Sequence, residues 1–175
     1  MNKAQFEHTI RAAGAILGEN EILVIGSQAV HASIDSVLPE AERSIEVDVS
    51  SLEDEDGSKA DLIDGSIGEL SVFQDTFGYY AQGVTPRTAV LPGGWRKRLV
   101  PYRSPSTNGI TALCLELHDL WLSKAVAGRE KDKEFCRALL EHDLVDPSLL
   151  RRRLDQIPDL KPKIQERIRG SIPGD

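Results

Sequence analysis

Aromatic residues make up only 5% of this 175-residue chain, so its core must be built from Leu, Ile, Val and Ala. There are two cysteines, Cys114 and Cys136, without C-x-x-C spacing and with only His118 near the first. That is too few ligands for a zinc site and points to buried free thiols rather than a disulfide. No apolar run approaches membrane-spanning length, and Met1-Asn2-Lys3-Ala4-Gln5 lacks a basic-then-apolar leader pattern; a cytoplasmic protein with no membrane partner is expected. No phosphate-loop G-x-x-x-x-G-K-[S/T] occurs, Gly26-Ser27-Gln28 does not meet the G-x-S-x-G hydrolase elbow, and no Ser–His–Asp order is present. His8, His31, His118 and His142 are scattered, and His31 is expected to be packed or exposed rather than in a cleft. No internal repeat or low-complexity tract is present.

Acidic residues are missing from one long stretch. Residues 76–115 contain none and carry five bases (Arg87, Arg96, Lys97, Arg98, Arg103), whereas residues 1–75 hold 16 acids against 4 bases, a balance of −12. Residues 116–175 balance at 12 against 12. Such asymmetry either steers a polyanion to one basic face or simply leaves solvated charges on one strand. Trp95, followed by Arg96-Lys97-Arg98, has two similar readings: a base-stacking aromatic beside phosphate-binding charges, or a hairpin aromatic packed on the sheet. Arg151-Arg152-Arg153 reads as a solvated helix face or as part of a polyanion-binding surface.

Two short segments carry chemistry. Ile22-Leu23-Val24-Ile25 is an apolar run ending in Gly26-Ser27; Arg43-Ser44-Ile45-Glu46-Val47-Asp48-Val49 alternates. Alternation puts Glu46 and Asp48 on the same side of a strand. Two carboxylates one repeat apart offer hard oxygen ligands to Mg²⁺, which shares its remaining positions with phosphates. A Gly-Ser turn from strand into helix offers N–H groups and a hydroxyl to those phosphates. Together they suggest a site that holds a nucleoside triphosphate through its metal.

Around these motifs the pattern predicts a helix over 5–17, a strand over 21–25, a helix over 28–34 and a strand over 45–49. Residues 58–77 read as irregular helix broken by Gly65 and Gly68. Short strands follow over 79–84, 88–91, 98–102 and 110–115, with Pro92-Gly93-Gly94 as the hairpin turn. Helices are predicted over 117–127, 130–142, 147–156 and 162–170, with Asp146 and Pro147 forming an N-cap and N1 pair. This order implies an α+β fold in which strands and helices mix over residues 1–115 and a helical C-terminal part is expected over 116–175.

Lys124 breaks the pattern of its helix. With Leu117 at zero, it falls at about 340°, inside the apolar arc from Leu120 at about 300° to Ala125 at about 80°. An ammonium group there snorkels to an edge or is aimed at an anion. Continued past Gly128, the same register brings Lys131 and Asp132 to that side. Arg129-Glu130-Lys131-Asp132 therefore adds groups able to grip and neutralise phosphates.

In Gly26-Ser27, Glu46-x-Asp48, Lys124 and Arg129-Glu130-Lys131-Asp132, the chain resembles the DNA-polymerase-β-like nucleotidyltransferase superfamily. It looks most like the AbiEii-type bacterial enzymes of toxin–antitoxin systems, and the resemblance spans roughly residues 20–140. The resemblance implies that Gly26 and Ser27 bind the triphosphate and that Glu46 and Asp48 ligate Mg²⁺, Asp48 also helping to activate the attacking hydroxyl. Lys124 would contact the nucleotide phosphates, Asp132 would complete the catalytic set, and Arg129 and Lys131 would assist. It further implies transfer of NMP from an NTP to a hydroxyl acceptor, in some relatives the 3′ end of tRNA, and a partner antitoxin. The sequence departs from the family pattern in two places: the first carboxylate is Glu rather than Asp, and no acid stands on a later strand. Those departures keep open a catalytically silent nucleotide-binding or protein-interaction module on the same fold. A small-molecule or protein acceptor is a third reading.

Overall fold

A computed structural model describes residues 1–34 and 38–174. Helix α1 (Lys3–Leu17) starts at an Asn2/Gln5 capping box, in which each side chain accepts from the other's backbone N–H, and stops at left-handed Gly18. Its apolar face buries Phe6, Ile10 and Ala13. Strand β1 (Glu21–Val24) follows, buried from Ile22 onward. The helix predicted over 28–34 is a 3₁₀ helix, Ser27–Ala32. Side chains at i and i+3 eclipse in that geometry, and Gln28 and His31 use it: they bond each other at 3.0 Å, with His31 stacked on Phe6. His31 is therefore packed, as expected.

A single turn, α2 (Pro39–Glu42), leads into β2 (Glu46–Ser50). Residues 58–77 form two helices, α3 (Ser58–Ile67) and α4 (Val72–Phe77). Gly65 sits inside α3 without breaking it, and Gly68 ends it. Strand β3 (Tyr80–Gly83) is next.

The strand predicted over 88–91 is absent, so no hairpin forms around Pro92-Gly93-Gly94. Pro92 has no N–H to give a ladder, and Gly93 N–H donates to Gln156 O at 2.9 Å, drawing the segment toward the C-terminal helices. The chain then passes through a 3₁₀ turn, Trp95–Arg98, into the short β4 (Val100–Tyr102) and β5 (Thr111–Cys114). Trp95 packs against the core with Arg96 over its ring.

The five strands form one mixed sheet in the order β3-β2-β1-β5-β4. Central β1 runs antiparallel to β2 and parallel to β5, and β2 runs parallel to β3. This register places Glu46 beside Tyr80 and Asp48 beside Gln82. Helices α5 (Leu117–Ala127), α6 (Glu130–Glu141), α7 (Pro147–Leu154) and α8 (Pro162–Ser171) follow. Asp146 caps α7 at Ser148 N, with Pro147 at N1. Leu120, Trp121 and Leu122 of α5 share one core with Leu23, Val24 and Val49 of the sheet. The result is the α+β architecture expected, consistent with the polymerase-β-like fold. Both cysteines are free and buried, and burial raises both thiols above their ordinary range.

A buried charge bracket fixes where α5 begins. Asp119 is fully buried and accepts from Arg98 Nε at 2.8 Å and from Arg153 Nη1 at 3.0 Å. Glu116 accepts from His118 Nδ1 at 2.6 Å and from Arg153. Asp146 N–H donates to His118 Nε2, so the ring proton sits on Nδ1. Burial opposes ionisation of Glu116, but the His118 and Arg153 contacts outweigh it and hold its carboxyl down to about 2. A depressed carboxylate contributes stability above its unfolded range, lost as pH falls through the folded value. Glu116→Gln should thus cost about 2–3 kcal/mol at pH 7 and much less at pH 2.5, measured by urea unfolding. An equal cost at both pH values would contradict it.

This bracket also corrects the charge reading. Arg98 and Arg153 are drawn inward onto Asp119, while Arg87 stays exposed with its charge faced by Glu55 at 3.6 Å. The solvated basic surface of 76–115 is smaller than its five residues suggest.

Candidate functional site

Glu46 and Asp48 project from one face of β2, while Val47 and Val49 are buried on the other. Gly26 lies against Asp48: a Cβ built on Gly26 would sit 1.7 Å from Asp48 Oδ2. The glycine backbone is extended (φ −92°, ψ −169°), so glycine is required there by close approach and not by conformation. Across the cleft, α5 supplies Lys124. Left-handed Gly128 ends α5, and Arg129 opens α6 as its N-cap. That tight corner is why residues 124 to 132 return to the same cavity.

Eight residues singled out from the sequence meet here. Gly26, Asp48, Lys124 and Arg129 border a depression of about 280 Å³. Ser27, Glu46, Lys124, Lys131 and Asp132 border an adjoining one of about 190 Å³, with Lys124 common to both. The first has an apolar wall, from Ile25 and Val84 on the sheet side to Val126 and Ala127 on α5. The second is charged, with Arg43 at its edge. Ser27 opens a 3₁₀ helix of six residues rather than an α-helix, so little macrodipole is available. Anion binding then falls mainly to cationic side chains.

The electrostatics are those of a loaded site. Burial raises the Asp48 carboxyl above its ordinary range; Lys124, Lys131 and Arg129 oppose that rise, and Glu46 adds to it. Lys131 Nζ stands 3.5 Å from Glu46 Oε1. Asp132 is buried, and its oxygens are occupied: it accepts from Arg129 Nε at 2.7 Å and from Arg129 N–H at 3.2 Å, with Lys124 Nζ at 3.6 Å. Burial disfavours its charge, yet these Arg129 and Lys124 contacts hold it below the usual carboxylate range. Asp132 therefore sets the positions of two cations. Glu130 pairs with Lys133 on the outside of α6 at 3.0 Å.

Two neighbours were missed in the sequence. The Tyr80 hydroxyl donates to Glu46 Oε2 at 2.9 Å, and burial followed by the Glu46 contact raises its pKa far above the ordinary range. It is a permanent donor that orients Glu46. Gln82 lines the larger depression beside Asp48, an amide where a third carboxylate would complete a cation cage. The parallel pairing of β2 with β3 brings both there, and no local pattern announces that pairing.

Glu46 and Asp48 supply two hard oxygen donors. Among the described residues, no group of three or more His, Cys, Asp and Glu is placed to hold a metal. That donor set suits a cation that completes its shell with substrate oxygens, as Mg²⁺ does on phosphates. No described helix is long and apolar enough to cross a membrane.

No curated protein and no solved structure matches this chain. A family model described as "Nucleotidyltransferase of unknown function (DUF6036)" matches residues 5–169, nearly the whole chain, and the chain belongs to that family.

Proposed function

We propose that this protein is a Mg²⁺-dependent nucleotidyltransferase that moves NMP from an NTP to a hydroxyl acceptor. Its acceptor is the 3′ end of tRNA, and its role is that of an AbiEii-like toxin held in check by an antitoxin. One observation carries the reading: a half-buried Asp48 packed on Gly26 and faced by Lys124, Lys131 and Arg129. The apolar wall fits a nucleoside, and the cations fit its triphosphate. Glu46 and Asp48 would hold Mg²⁺, which when bound neutralises phosphate charge. The acceptor oxygen bonds to the α-phosphorus as the bond to the β-phosphate breaks, and pyrophosphate leaves. The hydroxyl proton passes to Asp48, the carboxylate that Gly26 seats in the cleft. Lys124 stabilises charge shifting onto the leaving group, and Asp132 positions Lys124 and Arg129.

The direct test incubates the protein with labelled NTPs, Mg²⁺ and tRNA. Wild type should label tRNA, and Lys124→Ala should reduce labelling about 10²–10³-fold. Equal labelling by both would refute the assignment. Tyr80→Phe keeps the packing but frees Glu46. It should raise the Mg²⁺ concentration needed for half-maximal NTP binding about tenfold, with binding recovered at high Mg²⁺; a purely structural role would change only the melting temperature.

The pairing of Glu46 with Lys131, and the amide at Gln82, favour one rival: a silent nucleotide-binding module. Calorimetric binding of Mg·NTP by wild type without any transfer would select it.

A further inference from the structure

A further cavity of about 290 Å³, apart from the two of the cleft, lies between α5, α6 and α8. It sits between two residue lines. Trp121, Ala125 and Gly128 follow one at i, i+4 and i+7, and Lys133, Cys136, Arg137 and Leu140 follow the other at i, i+3, i+4 and i+7. The small residues Ala125 and Gly128 leave the volume open. Its floor is apolar and polar-satisfied, since Trp121 Nε1–H donates to Cys136 O at 2.9 Å.

Its rim is cationic. Lys133 has only an exposed glutamate for company, and Arg137 has no ion-pair partner among the described residues. Arg167 of α8 donates to the carbonyls of Ala125 and Val126 at 2.8 and 3.1 Å, satisfying the end of α5 while its guanidinium crosses above Gly128. An apolar interior under three cations has one complementary class of ligand.

We infer that this cavity binds a small amphipathic organic anion: a compact apolar body carrying one carboxylate, sulfonate or phosphate that reaches Arg137 and Arg167. The site is separate from the cleft and owes nothing to the transfer reading, although a ligand there touches the residues next in sequence to Lys124, Arg129 and Asp132.

The probe is 1-anilinonaphthalene-8-sulfonate, titrated into the folded full chain and followed by fluorescence and calorimetry. One equivalent should bind, and saturating Mg·ATP should not displace it. Arg137→Glu, at an exposed position, should weaken binding about tenfold or more, as loss of a charge-assisted contact implies. Ala125→Leu, which fills the cavity with a good helix former, should abolish binding while the melting temperature holds or rises. The uncharged N-phenyl-1-naphthylamine should bind at least tenfold more weakly. Binding unaffected by both variants would place the probe outside this cavity and overturn the inference, as would displacement by Mg·ATP or no binding at all. Absent transfer activity alongside variant-sensitive probe binding would leave the inference standing and remove only the enzyme.

Discussion

Asp48→Asn should abolish nucleotidyl transfer and at the same time make the protein more stable. Both effects come from one carboxylate. Ionised Asp48 is half-buried beside a second carboxylate, and its loss of hydration outweighs the help it receives from Lys124, Lys131 and Arg129. A group whose folded pKa is raised contributes stability below its unfolded pKa, and that contribution is lost as pH rises through the folded value. At neutral pH the folded protein therefore carries the cost of this charge, which the isosteric amide removes. The gain should be largest near pH 7 and vanish below about pH 4, where aspartate is protonated folded and unfolded alike. For a chain of this size, each kcal/mol moves the melting temperature by about 2–4 °C. Transfer should fall about 10³-fold or more, because an amide neither accepts the hydroxyl proton nor neutralises a cation. Thermal melts at pH 7 and pH 4, paired with the tRNA-labelling assay, check both halves. A variant less stable at pH 7, or a stabilisation persisting unchanged at pH 4, would show that Asp48 is a structural carboxylate.

The same trade-off explains what the sequence made legible. Lys124 stood out because an ammonium group on an apolar helical arc must either snorkel to an edge or meet an anion, and in the fold it lies only 14% exposed against Asp132. Alternation in β2 aimed Glu46 and Asp48 to one side, a local feature that needs no long-range information. The shape of α1 and the boundaries of α5 and α6 followed from caps and glycine stops for the same local reason. What stayed hidden depended on contacts between distant segments. Tyr80 and Gln82 reach the cleft through a parallel register some thirty residues long-range. Thr88-Ala89-Val90-Leu91 is a short apolar run that reads as a strand but has no partner edge, because its downstream glycine bonds to Gln156 instead. Arg98 and Arg153 look like solvated charges in sequence, yet Asp119 takes both into the interior. Composition counts charges and cannot tell which ones water still reaches.

Gly26→Ala should disable the site through a single methyl group. The added carbon would lie 1.7 Å from Asp48 Oδ2, 2.7 Å from Cγ and 3.1 Å from Cβ, and no other side chain approaches as closely. Alanine tolerates the glycine's extended backbone, so the conflict is with Asp48 alone. The carboxylate must swing away by more than an ångström, leaving its place between Glu46 and Lys124. Displacements of that size cost about 10²-fold in positioned chemistry, and overpacking of this kind costs about 1–3 kcal/mol in stability. Because the two residues touch, their effects should not add. An Asp48→Ala background removes the 1.7 and 2.7 Å clashes and leaves only the tight 3.1 Å approach to Cβ, so Gly26→Ala should lose most of its destabilisation there while transfer stays absent. A double-mutant cycle read by urea unfolding measures this coupling directly. Were the alanine equally destabilising in both backgrounds, the clash would lie elsewhere and Gly26 would not be what seats Asp48 in the cleft.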